Sequence, residues 1–183
     1  MKRKDRKSRM VVFALAVVLC VASNAMAQDP LLQKGVKELA LSGAFDFEQE
    51  GDPTLDLNVR YGYFLQNLLE VGGFVELFGD FDDVFRYGLG GFGELHFSPI
   101  IASAVPYVGA DLALTFVDTD LGEDNAALLF RPRAGLKWFI REYVAIDTSF
   151  FVALATDDVF QNDRDDLDFY DIGLRLGLRV FFR

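Results

Sequence analysis

The last nine residues, Arg175–Arg183, read RLGLRVFFR. Traced back a little further, Ile172, Leu174, Leu176, Leu178, Val180 and Phe182 fall on one face of an extended chain. Asp171, Gly173, Arg175, Gly177, Arg179 and Phe181 fall on the other. A soluble strand with one wet face would alternate in this way. So would the closing strand of a barrel in a lipid bilayer.

The same period of two recurs along the chain. Eight segments carry it: 37–48, 54–65, 68–78, 84–97, 105–117, 127–139, 142–155 and 168–182. Each is about ten residues or longer, their number is even, and none has a helical period, which is the signature of a transmembrane β-barrel. The face opposite the apolar one carries ten acids (Glu38, Asp46, Glu48, Asp56, Glu70, Glu76, Glu94, Asp111, Asp147, Asp171). It also carries seven bases (Arg60, Arg86, Arg131, Arg133, Lys137, Arg175, Arg179). In a secreted soluble barrel or sandwich, the competing reading, this face would be wet and the apolar face would form the core. Aromatic residues favour the membrane instead. Tyr61, Tyr63, Phe97, Trp138 and Phe182 gather at one end of the implied hairpins, and Phe47, Phe85, Phe116 and Phe130 at the other. Two such girdles are expected at two membrane interfaces.

The connections give an independent check. Alternate ones are short and almost uncharged: Gln66-Asn67, Ser98 to Ala104, and Arg141-Glu142. The other four, 49–54, 79–83, 118–126 and 156–168, hold 15 acids and one base, Arg164. With the N-terminus in the periplasm, the acidic set faces outward.

The start of the chain reads as an export signal. A basic stretch, MKRKDRKSR, precedes the apolar run Met10 to Ala22, and Ala25-Met26-Ala27 supplies a small-x-small cleavage site. The run is about 13 residues, against roughly 20 for a helix that spans a bilayer. Cleavage is expected before Gln28, leaving 28–183 as one barrel domain. Cys20 follows Leu19, too large for a lipoprotein site, so it is read as part of the apolar run; the mature chain then lacks cysteine. Cleavage removes six of 18 basic residues and one of 28 acids, leaving 12 against 27, a net charge of about −15. Nucleic acid is therefore not an expected partner.

On these features the chain resembles the small outer-membrane β-barrels, of which OmpA-type transmembrane domains and OmpX are the familiar forms. "YGYFLQNLLEVGG" (61–73) is similar to their second-to-third strand hairpin. Arg175-x-Gly177-x-x-Val180-x-Phe182 fits the terminal strand signal that the barrel-assembly machinery reads in that family, although Arg183 follows Phe182. The resemblance implies a monomer in the outer membrane of a Gram-negative bacterium. Its partners would be membrane lipid, lipopolysaccharide, periplasmic chaperones and the assembly machinery, and it implies no cofactor.

Eight strands leave an interior that side chains can fill. The expected lumen network is Glu76, Glu94, Asp111, Arg131, Arg133, Lys137, Asp147, Asp171, Arg175 and Arg179, paired because buried charges need partners. A structural barrel with a plugged lumen is the leading functional reading. A narrow ion or small-molecule channel, porin-like or OmpW-like, is the alternative, and an adhesin or ligand-binding barrel a third. Inward glycines are expected to make room for arginines and for Phe74, Phe92 and Phe151, and Pro132 to cause a bulge. Gly88-x-Gly90-x-x-Gly93 matches a dinucleotide motif but lies in a strand with no helix after it. His96, the only histidine, with Ser149 and Asp147 as its nearest tempting partners, does not make an expected enzyme. Asp163, Asp165, Asp166 and Asp168 offer oxygen ligands to a divalent ion but lack the glycine and terminal glutamate of an EF-hand.

Overall fold

The alternating segments become strands that close on themselves. The computed structural model describes residues 32–46, 54–79, 84–101, 103–119, 125–161 and 167–183. Eight long strands form the wall: β1 (Lys37–Asp46), β2 (Thr54–Gln66), β3 (Leu69–Gly79), β4 (Val84–His96), β5 (Ala104–Thr119), β6 (Asn125–Arg141), β7 (Val144–Ala155) and β10 (Tyr170–Phe182). Each pairs antiparallel with its neighbour in sequence, β7 pairs with β10, and β10 returns to β1, giving a closed barrel. A two-stranded hairpin, β8 (Phe160–Gln161) with β9 (Leu167–Asp168), sits in the connection between β7 and β10. Closure leaves the wall without an unpaired edge. The two reading frames of each strand separate cleanly. Leu89, Leu174 and Leu176 are 66%, 68% and 61% exposed on the outer wall, while Glu94 and Lys137 inside are 1% and 0% exposed.

One end of the barrel is made by tight connections. Asn67 and Leu68 turn β2 into β3, and Glu142 and Tyr143 turn β6 into β7. Leu68 has φ of 66°, a conformation that branched L residues rarely adopt. Its backbone is fully used there: its N–H donates to the Leu32 carbonyl (2.9 Å) and its carbonyl accepts from the His96 N–H (2.8 Å). At this turn end Tyr61 and Phe182 lie 6.4 Å apart on the outer wall, near exposed Tyr63, Phe97 and Trp138. At the opposite, loop end Tyr87 stacks on Phe116 at 5.2 Å and Phe169 meets Tyr170 edge-on. Phe47 lies outside the described residues.

Pro132 makes no bulge. Ala110↔Pro132 keeps the β5 register, and the β6–β7 register is the same on both sides of it, from Phe130↔Leu154 to Arg133↔Phe151. The missing N–H removes the pairings of Arg131 and Pro132 with β7 and inserts no extra residue. The register shifts fall elsewhere, at Phe64/Gln66 and Phe139/Arg141, beside the two tight turns. The dinucleotide-like glycines run along β4 with Gly88 facing Glu76 and Gly90 facing Phe74, so they form part of the wall.

Candidate functional site: the charged interior

The inward frame of all eight wall strands converges on one polar network. Near the turn end, Lys137 on β6 places Nζ 2.6 Å from Glu38 Oε2, 3.2 Å from Glu70 Oε2 and 2.9 Å from Glu94 Oε2. Arg179 on β10 bridges Glu38 and Glu94 with Nη1 and reaches Asp147 (3.0 Å) and the Tyr107 hydroxyl (3.2 Å) with Nη2. The Tyr107 hydroxyl in turn donates to Asp147 at 3.2 Å. Arg133 joins Glu94 to Asp111. Asp111 takes a bidentate pair from Arg60, at 2.7 and 3.2 Å. Arg131 continues from Asp111 to Glu76 at 2.6 Å, where Asn58 also donates.

The physical logic is that of a low-dielectric interior: a charge left alone there is costly, and paired charges with further hydrogen bonds are tolerated. Glu94 and Asp111 each meet three cations, so the network is continuous. Arginine suits this geometry because its planar fork both pairs and stacks. The Arg60 guanidinium lies 4.1 Å from the Phe92 ring centroid and 5.0 Å from that of Phe74, and Arg175 lies 5.2 Å from Phe151.

Two expected members stand apart from the network. Arg175 pairs with Asp56 at 2.8 Å. Asp171 is half-buried opposite Ala153, beyond the Phe151 ring layer. Conversely, Glu38, Arg60 and Glu70 read as inward residues in the sequence, and the structure makes them members. Asn58 and Tyr107 carry no charge to mark them, and only their inward parity gave a signal.

The glycines make room for the expected phenylalanine rings, and for carboxylates in place of the expected arginines. A Cβ at Gly62 would strike Glu70, at Gly88 Glu76 and at Gly109 Glu94. A Cβ at Gly72, Gly90, Gly135 and Gly173 would strike the rings of Phe92, Phe74, Tyr107 and Phe151. The rings include the three phenylalanines foreseen. The remaining space goes to carboxylate stems and Tyr107, while the arginines extend across the lumen.

A buried apolar cluster packs against the charges toward each end of the lumen. At the turn end Leu32, Val36, Phe64, Val105, Ala145 and Phe181 are buried together, with Leu68 and Phe139 packed against them. Leu32 and Val36 come from the segment before β1, which is tied to the wall by Gly35 N–H to Phe64 O (2.9 Å) and Phe64 N–H to Val36 O (2.9 Å). At the loop end Phe74, Phe92, Phe151, Val117 and Leu129 form a second cluster that includes Val159 and Phe160.

His96 lies within the lower charge layer. Its Nδ1 donates to the Leu68 carbonyl at 3.1 Å, and Nε2 sits 3.4 Å from Glu94 Oε2 and 3.8 Å from Glu70 Oε2. Among the described residues no hydrogen bond joins it to Ser149 or Asp147. Glu70, Glu94 and His96 bring one donor atom each to within 4.8 Å of one another, the described set with the spacing for a metal ion. Lys137 Nζ already lies on both of those carboxylates. Asp163, Asp165 and Asp166, along with Ala25 and Ala27, lie outside the described residues; the backbone of Asp168 pairs with Phe160.

No family model matches the sequence, and no curated protein matches it. Solved structures do. The N-terminal barrel domain of Pseudomonas aeruginosa OprF aligns with a TM-score of 0.59 at 19% identity, over 81% of this chain and 98% of that one. Neisserial surface protein A aligns with a TM-score of 0.60 at 18% identity, over 80% and 96%. The fold is that of a small outer-membrane β-barrel. The Yersinia pestis outer-membrane protein Ail, in a phospholipid nanodisc, also shares this outer-membrane barrel fold, with a TM-score of 0.52 at 15% identity over 81% and 100%.

Proposed function

We propose that this protein is a non-catalytic outer-membrane barrel with a sealed lumen, contributing to envelope structure. The observation that carries the reading is the continuity of the interior. One network takes a polar group from each of the eight wall strands, and an apolar cluster closes each end of it. Ions crossing the lumen would have to break several buried pairs at once, which is costly. The channel reading therefore has less support than the structural one. In this reading residues 1–27 direct export and are removed, the tight turns face the periplasm, and the acidic connections face outward toward lipopolysaccharide. Arg175, Gly177, Val180 and Phe182 on β10 form the assembly signal, on the strand whose pairing with β1 closes the barrel. Vesicles carrying the folded protein should leak potassium no faster than empty vesicles. Leakage that scales with the amount of folded protein contradicts the proposal.

A further inference from the structure

The two ends of the lumen are closed by different means. At the turn end the wall strands supply most of the apolar seal. At the loop end Val159 and Phe160, 2% and 5% exposed, come from the connection between β7 and β10. Their backbone takes no part in the barrel ladder, since Phe160 pairs with Asp168 in the small hairpin. They belong to one buried cluster with Phe74, Phe92, Phe151, Val117 and Leu129, all borne by wall strands, which form the cup. The floor of that cup is the arginine layer, with Arg131 5.8 Å from the Phe74 ring centroid and 5.7 Å from that of Phe151. One side chain of the wall holds the insert in place. Arg86 donates from Nη1 to the Val159 carbonyl at 3.2 Å, and its guanidinium lies 5.1 Å from the Phe160 ring and 4.5 Å from that of Phe78.

We propose that the loop-end cup is a binding site for an apolar group of aromatic-ring size, occupied in this structure by the chain's own Phe160, with Arg86 as the latch. A ring buried in an apolar cluster gains most of its stability from leaving water and little from the strap that carries it. A free apolar ligand then competes with Phe160 for the same place, and Val159 and Phe160 leave the cup when the ligand wins. The site takes its ligand from the loop side and does not depend on whether the lumen conducts.

The chain has a single cysteine, Cys20, so Cys20→Ser combined with Val159→Cys carries one reporter thiol. Its labelling by a membrane-impermeant maleimide, on folded protein in vesicles, reads how often the strap leaves the cup. Arg86→Gln should speed labelling about tenfold, the loss expected for a hydrogen bond and a cation–π contact. Toluene should speed it in the Arg86 protein and leave Thr156→Cys, at an exposed position, unchanged. A rate indifferent to Arg86→Gln, or one that toluene does not raise, overturns the proposal. If Val159→Cys does not fold, Phe160→Ala carries the test: its melting temperature should fall and recover with toluene. No fall, or a fall that toluene does not reverse, overturns it as well.

Discussion

Gly135 shows how closely the interior is filled. A Cβ there would lie 2.6 Å from the Tyr107 ring, whose hydroxyl sits between Arg179 and Asp147. Gly135→Ala should cost about 1–3 kcal/mol, the usual penalty of overpacking, read from the urea midpoint of refolded protein. Lys137→Met should cost more, about 3–5 kcal/mol by the same measurement, because Glu38, Glu70 and Glu94 lose a shared cation in a buried layer. A smaller loss for Lys137→Met than for Gly135→Ala would mean that the network adds little to stability. Most of these side chains were legible from parity alone, since a one-residue slip would turn every inward charge to the apolar outer face. Their partners were not. Parity says that Glu94 and Arg133 both point inward, but only barrel shear and tilt decide which heights meet. Hence Arg175 joins Asp56 instead of the network.

Strand boundaries follow from alternation ending in Gly, Asp and Asn clusters, and the structure differs from the expected segments by no more than two residues at any described end. Two features broke the pattern. Pro132 was expected to add a residue to the ladder, yet it only deletes pairings. Pro132→Ala should therefore restore pairing of position 132 with β7, slowing amide hydrogen exchange at Val152, whose N–H faces position 132, and leaving Ala153, whose N–H faces β10, unchanged. Unchanged exchange at Val152 would mean that the interruption has another cause. The second feature is the apolar seals. Leu32, Val36, Val159 and Phe160 lie outside the eight wall strands, where a period-two reading has nothing to register. Val159 and Phe160 are set in the acidic run TDDVFQNDRDDLD, which reads as a solvated loop. Leu32→Asp would place a charge without an opposite partner among Phe64, Phe181 and Leu68. It should lower stability by several kcal/mol and speed proteolysis before β1, measured on the folded protein.

The closed wall, the paired charges of the middle and the apolar cluster at each end are together what the sealed-lumen proposal rests on. Architecture was the most legible level, because an even set of long alternating strands with acidic connections on one side satisfies few other folds. What the lumen does was the least legible. Seven bases facing ten acids describe a conducting pore as well as a plug, and the difference lies in whether the charges touch. Here they do, over a continuous set of pairs from β1 to β10. Salt should reach this network poorly, so raising ionic strength from about 0.05 to 1 M should change the urea midpoint by less than Lys137→Met does. Single-channel recording of the refolded protein in a planar bilayer, beside Glu94→Gln, decides between plug and pore. A silent wild type, with conductance steps appearing only when Glu94→Gln loosens the hub shared by Lys137, Arg133 and Arg179, is the expected result. Steady steps from folded wild-type protein would mean that the interior conducts, and the sealed-barrel reading would be wrong.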